Sequence, residues 1–167
     1  MITDLVQIHR LGENKRPENE RLRRHLKTYR FVERHLVRIA KEVEEEIDCT
    51  ACANCCRVAT VKMKERDVER LAKYFRVKVG EFTRDYCEKK VDEGLVLRRN
   101  EKGCVFLEGN LCTVYDVRPS TCEDFPNLVR GTGSLVSRMW QFTDRATYCP
   151  IVYNTLEAWK PEVGFSS

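Results

Sequence analysis

Apolar residues in the first third of the chain recur at steps of three and four: Leu22, Leu26, Tyr29, Val32, Leu36, Ile39, Val43 and Ile47. That period puts them on one face of an α-helix. It predicts one long amphipathic helix over residues 17–48. Pro17 suits the first helical position, and Glu18 and Glu20 lie where the helix dipole favours negative charge. Residues 1–16 lack the pattern and are expected to form an N-terminal arm, with at most a turn of helix over residues 3–10.

Beyond residue 48 the pattern breaks into short pieces. Residues 58–62 read as extended. Residues 65–76 read as a helix with Val68, Leu71, Ala72 and Phe75 inward, and a second helical turn starts at Gly80 with Phe82 and Tyr86 as its apolar contacts. Residues 95–98 predict a strand. Residues 104–107 and 112–115 flank Glu108-Gly109-Asn110, a hairpin turn that would carry Cys104 and Cys112 on adjacent strands. Ser120 is placed as the N-cap of a short turn holding Cys122. Gly131 and Gly133 mark a flexible loop, and residues 135–142 are strand or helix. Asn154 is expected to cap a last helix that runs through Trp159 and ends at Pro161. The expected fold is α+β: a small, mostly helical and irregular, cysteine-rich, metal-centred domain with one β-hairpin and a long N-terminal amphipathic helix. The expected layout is an arm (1–16), the long helix (17–48), a cysteine-cluster metal-binding domain (49–150) and a C-terminal helix and tail (151–167).

Nine cysteines change this picture. Cys49, Cys52, Cys55 and Cys56 fall within the run CTACANCC. A CxxC turn brings two thiolates onto one centre, and a second CxxC in register adds a third ligand. Cys56 points another way, toward either a different metal atom or another side of the same cluster. Disulfides within the run are strained, and such a run is a poor way to build an apolar core. Cys104, Cys112, Cys122 and Cys149 form a second group. Cys87 has no cysteine at ligand spacing and reads as a core or spare thiol. Every histidine (His9, His25, His35) precedes the cysteine-rich region, so a centre there is bound mainly by thiolates.

Eight thiolates suit two tetrahedral zinc sites, two cubane clusters, or one cluster with additional thiols nearby. Cys49, Cys52 and Cys55 have the CxxCxxC spacing of ferredoxins, with Cys149-Pro150 as the remote fourth ligand. This favours a 4Fe-4S iron–sulfur cluster, with zinc as the alternative.

The 167 residues carry a net charge of +4, too little to imply nucleic acid. Arg23, Lys27, Arg30, Arg34, Arg38 and Lys41 form a basic stripe on the first helix, but Glu33, Glu42, Glu44 and Glu45 interrupt it, and a solvated face is the simpler account. The N-terminus has no apolar stretch long enough for a signal peptide, and no later run is long enough to span a membrane. The expectation is a cytoplasmic, reducing location, where many cysteines argue for metal ligation over disulfides.

CTACANCC followed by GCVFLEGNLCTVYDVRPSTCEDFP resembles the CxxCxxCC cysteine-cluster family, the YkgJ-type zinc- or iron-chelating domain. The matching positions are Cys49, Cys52, Cys55, Cys56, Cys104, Phe106, Leu107, Cys112, Tyr115, Arg118, Pro119, Cys122, Phe125 and Pro126. Asn54 stands where members often carry glycine, and the basic N-terminal helix lies outside the shared region. The resemblance implies metal or iron–sulfur binding and says little about a reaction. Similar domains occur in flagellin lysine methylases, but no glycine-rich nucleotide loop is present here for a methyl donor. Arg118 is either placed beside the cluster, offsetting its charge and donating to sulfur, or ion-paired with Asp116 or Asp124. Three functions are weighed: a cluster protein serving a redox or metal-acceptor protein partner; a zinc-stapled module binding through its basic helix; and an oxidoreductase or other enzyme with the cluster as its active site.

Overall fold

The computed structural model describes residues 1–131 and 133–166. Its helices, in chain order, are α1 (Leu5–Thr28), α2 (Glu33–Glu46), α3 (Cys49–Cys52), α4 (Asn54–Val58), α5 (Glu65–Phe75), α6 (Val79–Tyr86), α7 (Ser120–Glu123), α8 (Leu135–Arg145) and α9 (Pro150–Glu162). Between α6 and α7 lie β1 (Cys87–Lys90), β2 (Gly94–Leu97), β3 (Arg99–Asn100), β4 (Gly103–Cys104), β5 (Leu107–Glu108), β6 (Leu111–Cys112) and a 3-10 turn, Tyr115–Val117. The α+β class holds. Among the described residues no helix is long and apolar enough to cross a membrane.

The chain divides into two compact units, Met1–Asp48 with Pro126–Ser167, and Cys49–Phe125. The first is helical. α2 packs on α9, and α1 packs on α8 and α9. Ile8, Leu22, Leu36, Met139, Leu156 and Trp159 are fully buried in it. Gly12 permits the close crossing of α1 over the end of α8: a Cβ there would stand 2.4 Å from the Ala146 carbonyl oxygen. Ile2 exchanges two backbone hydrogen bonds with the Asn154 side chain, which ties the start of the chain to α9.

The single helix expected over residues 17–48 is two helices. α1 begins at Leu5, inside the expected arm, where the Asp4 side chain accepts from the Gln7 N–H and caps it. Pro17 lies within α1 rather than at its start. The helix ends at Thr28 because Tyr29 is extended. The break lets Phe31 meet the Trp159 ring edge-on, centroids 5.6 Å apart, while Tyr29 stacks on His25 at 4.8 Å. The C-terminal helix likewise starts earlier than expected, with Pro150 at its first position; Asn154 and Pro161 lie inside it. Residues 135–142 are helical, within α8.

The second unit carries three small antiparallel hairpins: β1 with β2, β3 with β4, and β5 with β6. Its core is an aromatic stack of Phe75, Phe82, Tyr86 and Phe106, closed by Leu71, Leu97 and Val114. α5 and α6 form where expected, and α6 packs against α5. The Gly109-Asn110 turn joins β5 to β6, with Leu107 opposite Cys112. Cys104, however, is not on this hairpin. It lies on β4, opposite Arg99. The ladder from Cys112 leads to Leu107, so the expected pairing was displaced by one hairpin.

Candidate metal centre

α3 and α4 are too short to be stable as isolated helices. Ala53, between them, is left-handed at φ 47°, which turns the chain sharply and sets Cys55 and Cys56 on a new helix. This turn falls one residue before Asn54. Side chains from the hairpins then hold the run. Arg57 donates to the Cys52 carbonyl at 2.9 Å, to the Gly109 carbonyl at 3.2 Å, and to the Asn110 side chain. Asn110 in turn donates to the Ala51 carbonyl at 2.8 Å. Arg99 donates to the Ala59 carbonyl at 2.6 Å and to the Arg57 carbonyl. The β5–β6 tip and β3 are thereby stapled to the cysteine run.

Four thiols of this unit act electrostatically on one another. Cys56 comes from α4, Cys104 from β4, Cys112 from the end of β6 and Cys122 from α7. Burial pushes the Cys104, Cys112 and Cys122 thiols up, and each is pushed further by Cys56 and by at least one other cysteine of the set or by Cys56 alone. Cys56 departs in the other direction. A hydrogen bond with Cys55 and the guanidiniums of Arg57 and Arg99 hold it at about 7, against its burial. Arg118 favours the thiolate of Cys112 and Cys122. Its guanidinium lies 3.9 Å from the Tyr115 ring centroid and donates to the Tyr115 carbonyl at 3.2 Å. Cationic groups from three arginines therefore surround sulfurs that would be anionic as ligands.

All nine cysteines stand as thiols rather than disulfides. Among the described residues no three His, Cys, Asp or Glu side chains are already set in metal-binding geometry. The donor set itself is what a metal needs: thiols that become thiolate ligands when a cation displaces their protons. The residues fit a thiolate-bound zinc, iron or iron–sulfur centre.

The remaining cysteines are placed as follows. Cys49 is exposed and Cys52 half-buried at the two ends of α3, and Cys55 is half-buried on α4. Cys149 is buried in the helical unit as the residue preceding α9. Cys87 is a core residue of β1. Burial pushes it up to about 11, and the one charge acting on it is Arg98, not another thiol. Sequence reasoning missed Arg57 and Arg99, the two arginines that hold the run. Arg57 directly follows the CC pair, but nothing in its spacing marks it as a staple.

No solved structure matches the chain. A family model does, over residues 48–150, described as "CxxCxxCC: Putative zinc- or iron-chelating domain". The matched segment contains all eight cysteines singled out as ligands. That match covers more than half of the sequence, and this chain belongs to the CxxCxxCC family of zinc- or iron-chelating domains.

Proposed function

We propose that Cys56, Cys104, Cys112 and Cys122 bind one metal centre, that iron–sulfur of the 4Fe-4S type is the species held, and that it passes electrons or metal to a protein partner. The observation that carries the metal reading is the family match over residues 48–150 with the eight cysteines singled out as ligands; the mutual influence of these four thiols supports taking them as one set. Taking them as one set leaves Cys49, Cys52 and Cys55 with CxxCxxC spacing for a second centre.

When bound, an iron–sulfur cluster supplies one-electron transfer at a potential set by net charge and by hydrogen bonds to sulfur. The residues of this chain tune those quantities. Arg57, Arg99 and Arg118 offset the negative charge of a tetrathiolate site. Exposed Tyr115 and Leu111 flank Cys112 and give a partner apolar surface beside it.

A structural zinc is the second reading. It is favoured by how little regular structure surrounds the thiols: α3, α4 and α7 are each a single turn, and a closed tetrathiolate would stabilise them outright. On this reading the basic face of the N-terminal helices is the surface offered to nucleic acid or an acidic protein, and part of it is paired within the chain. Arg38 is paired with Glu42 and Glu162, and Arg23 with Glu20. The test is metal and acid-labile sulfide analysis, with an absorption spectrum, on protein prepared without oxygen. Iron with sulfide and visible absorption is expected. Colourless protein with stoichiometric zinc would remove electron transfer.

A further inference from the structure

Cys122 rides on α7, a helix of four residues that cannot hold itself in place. Its support comes from α5. Asp67, only 2% exposed, accepts from the Ser120 N–H at 3.1 Å and from the Ser120 hydroxyl at 2.9 Å. Arg70, one turn along α5, donates to Asp67 at 3.0 Å and to the Arg118 carbonyl at 2.6 Å. The Thr121 hydroxyl donates to the Lys62 carbonyl at 2.8 Å. Three of the four residues before Cys122 are thus tied to α5 or its approach. The Cys122 N–H itself donates to the Pro119 carbonyl at 2.8 Å, so the thiol follows wherever this anchored segment goes.

Burying a carboxylate is costly unless it is well paired. Here the pairing is complete on the side of Ser120 and Arg70, and what it fixes is the carrier of one thiol. Ser120 is displaced from its expected capping role by the same contact. Its hydroxyl goes to Asp67, and Pro119 is the residue preceding the helix.

We propose that Asp67 is a positioning residue for the metal centre: through Ser120 it anchors the turn that carries Cys122, one of the thiols proposed as ligands with Cys56, Cys104 and Cys112. This inference rests on the metal-binding reading given above. Groups hydrogen-bonded directly to a ligand typically change metal affinity about 10- to 100-fold when removed; Asp67 acts one step further out, so the lower end of that range is expected.

The test uses full-length protein purified without oxygen, as wild type, Asp67→Asn, Ser120→Ala and Val68→Ala. Val68 is buried on α5 beside Asp67, so Val68→Ala loosens the same helix without touching Ser120. The readouts are the rate at which excess EDTA strips the native metal, the absorption spectrum of the loaded protein, and the urea midpoint after stripping. Asp67→Asn is expected to release metal at least about tenfold faster than Val68→Ala when compared at matched stability, with an altered spectrum. Ser120→Ala leaves the Asp67–Arg70 pair and the Ser120 N–H contact in place, so it folds even if Asp67→Asn does not, and it should release metal faster by a smaller factor. Release rates that track the urea midpoint across all three variants would overturn the inference while leaving the metal reading intact. Wild-type protein that purifies without metal and takes up none would overturn both.

Discussion

Gly103 lies against the backbone of Cys56: a Cβ on it would stand 2.6 Å from the Cys56 carbonyl oxygen and 2.8 Å from the Arg57 Cα. At φ +127° it also occupies backbone space that favours glycine. This contact seats β4 on α4 and so brings Cys104 beside Cys56. Gly103→Ala must push the two apart. The expected cost is about 2–4 kcal/mol from strain and overpacking together, with loss of most bound metal. A urea titration and a metal assay check both; retention of full metal content would show that the contact does not define the site.

In the metal-free protein the thiols should differ sharply in reactivity. Cys56 is held at about 7 by Cys55, Arg57 and Arg99, whereas burial pushes Cys87 up to about 11. At pH 7 that difference leaves Cys87 with thiolate lower by on the order of a thousandfold or more. Timed iodoacetamide labelling followed by peptide mass spectrometry should find Cys56 modified well before Cys87. Metal binding should protect Cys56. Cys87 labelled first, or Cys56 labelled equally fast with metal present, would contradict the assignment.

The helical unit carries a buried ion cluster of its own. Lys160 donates to Glu18 at 2.6 Å and also pairs with Glu157, and Lys15 meets Glu18 at 2.8 Å. Burial raises the Glu18 carboxyl, but Lys15 and Lys160 together bring it below its ordinary 4.5. A depressed carboxyl contributes stability above the unfolded value, and that stability is lost as pH falls through the folded one. Urea midpoints should therefore hold above pH 4.5 and fall below it. Lys160→Met removes one partner from Glu18 and should cost about 3 kcal/mol at neutral pH. It should also flatten the acid-side fall.

Arg118 stacks on Tyr115 and favours the thiolate forms of Cys112 and Cys122. If the centre is an iron–sulfur cluster, Arg118→Gln removes a cation that stabilises the reduced, more negative state. The reduction potential should become more negative by on the order of tens of millivolts. Voltammetry of wild type and variant measures this, and an unchanged potential would remove Arg118 from the environment of the centre.

What was legible in the sequence follows from how local its cause is. Hairpin β5–β6 was legible because Gly109-Asn110 is a turn by its own chemistry. α5 and α6 were legible because their apolar spacing is confined to one helix each. The break between α1 and α2 was not. Tyr29 and Val32 keep the three-and-four spacing, yet they are 42% and 45% exposed. The period continues through them although no helix does, and the interruption is set by Phe31 reaching Trp159, a contact with the far end of the chain. The start of α1 was missed for a similar reason: Ile8 and Gly12 earn their places by burial and by the close crossing at Ala146, not by a local pattern.

The candidate site divides along the same line. The cysteines announce themselves by type and spacing. Which of them act on one another does not, because it depends on the β3–β4 and β5–β6 hairpins being stapled to the cysteine run and on α7 being anchored to α5. Asp67 was hidden too. In the first turn of α5 an acid is expected for the helix dipole alone, and only the fold shows it turned inward to Ser120.

The claim everything else depends on is that Cys56, Cys104, Cys112 and Cys122 ligate one inorganic centre. X-ray absorption at the edge of the native metal, on protein purified without oxygen, tests it most directly, with the four single Cys→Ser variants alongside. A shell of sulfur alone at about 2.3 Å is expected, disturbed in each of the four variants. A shell rich in nitrogen or oxygen, or a sulfur shell unchanged in all four variants, would contradict it.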